Sequence, residues 1–167
     1  MEIKLTLALP REEVSVPVVR RVLKASLQAL GVERGVISDI ELALTEAVTN
    51  VLDHVKDGEE YEVSAGIDGN ACVIEVVDRG DGFDASGLGH DMAHPSAEEG
   101  RGIQLMRALV DKVTFQNVPR VGSVVHLEKR LEWTDDSAIK KLTEDRPATE
   151  FGPWSTDDRM SDAPTVS

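Results

Sequence analysis

Val36 to Val55, VISDIELALTEAVTNVLDHV, is the stretch on which the reading of the chain turns. Ile40, Leu44, Val48, Val51 and Val55 recur at helical spacing and predict one buried stripe. Ser38 followed by Glu41 has the form of a capping box, with Ile37 and Leu42 spaced as a hydrophobic staple, so the helix is expected to start there. Along another edge stand Glu46, Asn50 and His54, each four residues from the last, so the three stack. A carboxylate and a carboxamide one turn apart can hold a divalent cation and a reacting water or hydroxyl side by side. The same residues also suit an ordinary solvated face, and the helix alone does not choose between the two.

Upstream, Ile3, Leu5, Leu7 and Leu9 alternate with polar or small residues and predict a strand with one buried face, ended by Pro10. Ser15 is placed to cap a helix beginning near Pro17, with Val18, Val19, Val22, Leu23, Leu27 and Leu30 as its buried stripe and Gly31 as its C-cap. Downstream, Tyr61, Val63, Ala65 and Ile67, then Cys72, Ile74 and Val76, alternate as two strands joined by a hairpin turn at Asp68-Gly69-Asn70. Asp84 to Glu99 shows no period and reads as a mobile loop. Gly100-Arg101-Gly102 then opens a helix carrying Ile103, Leu105, Met106, Leu109 and Val110. Val113 and Phe115 suggest a strand, Pro119 to Gly122 a turn, and Ser123 to Leu131 a last strand. Strands joined by tight turns, with helices between them, predict an α+β two-layer sandwich: a mainly antiparallel, mixed sheet with helices on one face. The domain is expected to span residues 1–131, with 132–167 an acidic tail without stable structure, although Trp133, Phe151 and Trp154 could dock and a short helix could form near Ser137 to Leu142.

Composition narrows the partners. The 167 residues carry a formal charge of −13, which argues against nucleic acid and against an anionic membrane surface. An acidic protein with an anionic ligand needs a cation or backbone amides where that ligand sits. Cys72 is the single cysteine, so disulfides within the chain are excluded and a cytoplasmic setting fits. No apolar run is long enough to span a bilayer, the N-terminus lacks the basic region of a signal peptide, and there is no internal repeat.

Two further motifs carry chemistry. Asp78-x-Gly80-x-Gly82 closes a strand: a carboxylate there can accept from an exocyclic amine, and glycines let a flat ring approach the backbone. An acidic turn is the ordinary alternative; Asp78, Asp81 and Asp84 are three apart, which fits a calcium loop poorly. Gly100-Arg101-Gly102 at a helix start offers free amides, the positive end of the helix dipole and a guanidinium to a phosphate, though a Gly-x-Gly turn needs none of these. It is neither a Walker A loop nor a Rossmann fingerprint.

Taken together and in order, ELALTEAVTNVLDHV, VIEVVDRGDGFD and EEGRGIQLMRALVDKV resemble the GHKL ATPase superfamily with its Bergerat ATP-binding fold, to which gyrase B subunits, the heat-shock chaperone ATPase, histidine-kinase catalytic domains and mismatch-repair ATPases belong. Within it the chain is most similar, from about Ile3 to Leu131, to the bacterial anti-sigma factors that are also serine-protein kinases. The resemblance implies that Asn50 coordinates the Mg2+ bridging the ATP phosphates, that Glu46 is the general base or orients the hydroxyl nucleophile, and that His54 supports them. It implies further that Asp78 binds the adenine amino group, with Gly80 and Gly82 walling the base pocket and Ser123 near that aspartate. Asp84 to Glu99 becomes the ATP lid, and Gly100, Arg101 and Gly102 meet the phosphates. Val51 and Lys56 stand where the family often has a small residue and an aromatic, a departure that bears on the outer edge of the base pocket.

The function so implied is a serine/threonine-protein kinase using ATP and Mg2+, which phosphorylates an anti-sigma-factor antagonist and otherwise sequesters a sigma factor, as a homodimer. The alternative is an ATP-binding regulatory module without phosphotransfer. A histidine-kinase domain acting in trans fits less well, since no phospho-accepting helical hairpin precedes the motifs. A chaperone-like or topoisomerase-like role fits least.

Overall fold

A computed structural model of the chain describes residues 3–54, 60–78, 97–118, 122–137 and 139–141. The elements run β1 (Ile3–Pro10), α1 (Ser15–Leu30), α2 (Arg34–His54), β2 (Glu60–Asp68), β3 (Ala71–Asp78), α3 (Ala97–Leu109), β4 (Lys112–Val118) and β5 (Gly122–Arg130). The five strands form one sheet in the order β1-β2-β3-β5-β4. The mixed sheet expected from sequence is antiparallel in every described pairing, because hairpins join β2 to β3 and β4 to β5 while β1 returns beside β2 through the α1–α2 pair. α1, α2 and α3 pack on the sheet or on each other, and α2 lies at the centre, touching α1, α3, β3 and β5. The two-layer α+β architecture is therefore as expected.

The period of α2 does what it predicted: Ile40, Leu44 and Val48 are fully buried and Val51 nearly so. They meet the inward residues of β2 and β3, Tyr61, Val63, Ala65 and Ile67 with Cys72, Ile74 and Val76, in one core. Burial also pushes the Cys72 thiol up to about 12, so it packs as an apolar side chain rather than reacting. Lys129 of β5 braces the helices, bonding Asp39 Oδ2 of α2 at 2.9 Å and the Leu109 carbonyl at the end of α3 at 2.7 Å.

Several local expectations are corrected. α2 starts at Arg34, not Ser38, whose hydroxyl donates to the Arg34 carbonyl at 3.0 Å from inside the helix. Leu42 is exposed and cannot staple, while Glu41 turns to Lys24 of α1 at 3.0 Å. The earlier start follows from pinning of the preceding residues: Val32 bridges Trp133, and Glu33 N–H donates to the Glu132 carbonyl at 2.8 Å. α1 likewise starts at Ser15 itself, which makes no cap; its buried hydroxyl meets the Tyr61 phenol at 2.6 Å. Burial pushes that phenol's pKa up, and the Ser15 bond opposes the shift. Val18 is 47% exposed and drops out of the stripe, leaving Val19, Leu23 and Leu27 as its fully buried members.

The first residues after β5 dock on the domain, as Trp133 was expected to be able to do. Thr134 N–H donates to the Gly31 carbonyl at 2.8 Å, Ser137 Oγ to the Leu30 carbonyl at 2.8 Å, and Trp133 Nε1 to Asn70 Oδ1 at 2.6 Å. Residues 139–141 are helical, while Phe151 and Trp154 lie outside the described residues. The segment after β5 is thus received by the α1–α2 turn, whose Leu30 and Gly31 carbonyls it satisfies, and by the Asn70 side chain of the β2–β3 turn.

Gly31, the expected C-cap, has φ 81°, and a Cβ there would fall 2.8 Å from Ser137 Cα. Gly31→Ala is expected to cost about 2–3 kcal/mol in a urea titration, from left-handed strain plus displaced backbone. Gly69, at φ 57° with nothing within 4 Å of a Cβ, has the strain alone. Its alanine variant should cost about 1 kcal/mol in the same measurement. Equal losses would mean that the Ser137 segment does not press on Gly31.

Candidate functional site

α2 presents Glu46 and Asn50 half-buried on the edge away from its core stripe. His54 is its last residue; the side chain lies outside the described part. α3 lies against this edge. A Cβ on Gly102 would come within 2.9 Å of Glu46 Oε2, so the carboxylate rests on the bare backbone of α3, and the glycine makes that approach possible.

Asp78 ends β3. By strand alternation it shares the helix-facing side with Cys72, Ile74 and Val76, and it is 2% exposed, opposite Tyr61 in the ladder. Its position one residue beyond the Val77–Val124 pair puts Ser123, half-buried near the start of β5, at the same level of the sheet. A carboxylate so buried needs a partner. Arg11 supplies one, with Nη2 2.8 Å from Asp78 Oδ2 and the two side chains 8% and 2% exposed. The same Nη2 donates to the Val51 carbonyl at 3.0 Å, one residue past Asn50. Glu46 thus meets the backbone of α3 at Gly102, and Arg11 ties Asp78 to the last turn of α2, one residue past Asn50.

Sequence reasoning passed over Arg11. It follows Pro10 and precedes Glu12 and Glu13, both exposed, and reads as the start of a polar turn. The only signal was indirect: a buried strand-end aspartate in an acidic chain calls for a cation from somewhere.

The glycine motif is displaced from its expected place. α3 begins at Ala97, so Gly100 is its fourth residue, still in the first turn, and Arg101 and Gly102 follow as its fifth and sixth. By Gly102 the amide is past the first four, and the free N–H groups of this helix belong to residues before it. Arg101 is exposed. Gly80, Gly82 and residues 84–96 of the expected lid lie outside the described residues. A separate hollow of about 250 Å³, lined by Asn70, Ala71, Asp111, Glu128 and Arg130, lies at the opposite end of β3 from Asp78 and holds none of these residues. Among the described residues no helix is long and apolar enough to cross a membrane.

Known proteins match on the same span. The family described as the histidine kinase-like ATPase domain covers residues 9–129. An anti-sigma F factor of Pasteuria penetrans is 30% identical over 111 residues, 62% of this chain and 74% of that protein. The serine-protein kinase RsbW of Bacillus subtilis is 31% identical over 119 residues, 65% of this chain and 74% of the kinase. Among solved structures, the RsbU and RsbW domains of a Mycobacterium tuberculosis protein superpose with a TM-score of 0.60 at 22% identity, over 77% of this chain and 32% of that one, a likeness of fold. The chain thus spans about a third of that solved protein. With its central helix, its buried strand-end aspartate and these relatives, the chain belongs to the histidine kinase-like ATPase domain family, beside the bacterial anti-sigma factors and serine-protein kinases.

Proposed function

We propose that the chain is a serine/threonine-protein kinase that uses ATP and Mg2+ to phosphorylate a small anti-sigma-factor antagonist, and that it sequesters a sigma factor when not so engaged. The observation that carries this reading is the meeting of Glu46 and Gly102 at one edge of α2, with Asp78 tied by Arg11 to the turn after Asn50. In it Asp78 accepts from the adenine amine, Gly80, Gly82 and Ser123 border the base, and Gly100, Arg101 and Gly102 face the phosphates. His54 supports the same turn. The chain acts as a cytoplasmic homodimer.

The donor set fits magnesium. Among the described residues no three His, Cys, Asp or Glu side chains gather as a metal cage. A lone carboxamide oxygen from Asn50 suits a cation that keeps waters and takes its other ligands from phosphate. When bound there, magnesium supplies positive charge to the triphosphate of an otherwise acidic protein. Glu46 is left to orient the substrate hydroxyl and take its proton, at the edge where α2 meets α3.

Incubation with γ-labelled ATP, magnesium and the antagonist protein should label a serine or threonine on the antagonist, stable to acid. Tight ATP binding with no transfer to any partner would replace this reading by the regulatory module, and an acid-labile phosphohistidine by the histidine-kinase one.

A further inference from the structure

Arg11 touches both halves of the site without belonging to either motif. It leaves the end of β1, and its guanidinium lies almost wholly buried between the Asp78 carboxylate, 2.8 Å away, and the Val51 carbonyl, 3.0 Å away. Val51 stands in the last turn of α2, where carbonyls run out of helical N–H partners and the negative end of the dipole collects. One cation therefore closes the C-terminus of α2 and grips the strand-end acid. Guanidinium carries donors only. Bound to Oδ2, it leaves Asp78 an acceptor toward anything else that meets it, and it fixes the distance between that acceptor and the turn holding Asn50.

We propose that Arg11 is the positioning residue for base selection: by holding Asp78 as a fixed acceptor, it makes the site prefer a purine with an amino group at position 6 over one with an oxo group. This rests on the nucleotide reading given above. An amino group donates to the held carboxylate; an oxo group sets two acceptors against each other. Both contacts come from one nitrogen, Nη2; a lysine ammonium also carries several donors but sits on a shorter stem, so it holds the two partners less closely.

The test compares binding of ATP and of inosine triphosphate, which carries a 6-oxo group and a proton on the neighbouring N1, by calorimetry on the full chain with magnesium present. Wild type should prefer ATP. Arg11→Met should weaken ATP about tenfold while inosine triphosphate changes by less than about twofold, so the preference collapses. Arg11→Lys, which keeps the charge and guards against a methionine variant that fails to fold, should lose part of the preference in the same direction. Parallel losses for both nucleotides in either folded variant would make Arg11 a merely structural brace and overturn the proposal. So would a preference that survives both substitutions. A wild type that binds ATP without favouring it over inosine triphosphate overturns base selection alone; one that binds neither removes the nucleotide reading itself, and Arg11's role with it.

Discussion

Replacing Glu46 by alanine is expected to lower phosphoryl transfer to the antagonist by about a hundredfold to ten-thousandfold, the range set by loss of a general base. ATP binding should stay within about twofold, since base, phosphates and metal are assigned to other residues. The geometry makes this separation testable. Glu46 is half-buried at the edge of α2, outside the stripe of Ile40, Leu44 and Val48, so its removal opens no hole in the core. Gly102→Ala probes the same group without deleting it. Its Cβ would fall 2.9 Å from Oε2, and the nearest atom after that is Glu46 Cδ at 3.9 Å. Only the end of a flexible side chain must yield, so the fold should tolerate the methyl while the carboxylate swings off its line. Transfer should then fall by about tenfold or more, with a thermal midpoint close to wild type, because misplacement of about an ångström is costly to a positioned catalyst. Transfer that survives Glu46→Ala would refute the assigned base. A Gly102→Ala variant that loses stability but not rate would show that the contact is packing alone.

What the sequence disclosed and what it withheld divide along one physical line. Periodic features were legible because many residues vote together: the α2 stripe through Val51 (Val55 lies outside the described residues), the alternation in β2 and β3, and the Gly69-Asn70 turn stand as read. Asp78 at the end of a strand was legible for the same reason, since alternation from Cys72 through Val76 puts it on the buried face. Single-residue inferences fared worse. Ser38 and Ser15 both look like caps, yet one lies inside its helix and the other bonds Tyr61 across 46 positions. A hydroxyl's partner is decided by tertiary proximity, which no local pattern encodes. The same holds for the start of α3. The helix starts three residues before Gly100, which falls in its first turn, and Gly102, its sixth residue, admits the Glu46 carboxylate. Arg11 is the extreme case: its two partners are 40 and 67 positions away in the chain.

Asp78→Ala should be the most damaging of these substitutions to the fold as well as to the site. The pair it breaks is buried at both ends, 8% and 2% exposed, so deletion of the acid takes a carboxylate 2.8 Å away from a buried guanidinium. Breaking a buried pair by removing one partner costs about 3–5 kcal/mol. In a domain of this size that lowers the thermal midpoint by about 10–20 °C. Mutating both partners separates the two roles of the acid. Asp78→Leu with Arg11→Met replaces the pair by apolar groups of similar bulk, which for buried ion pairs is often neutral or better. The double variant should therefore regain most of the lost stability and still fail to bind ATP. A double variant that recovers stability and nucleotide binding together would mean the pair is a packing element that the ligand never meets. Recovery of stability alone would mean that β3 ends in an acid for the sake of what binds there, and that the arginine at the end of β1 is what lets the fold carry it.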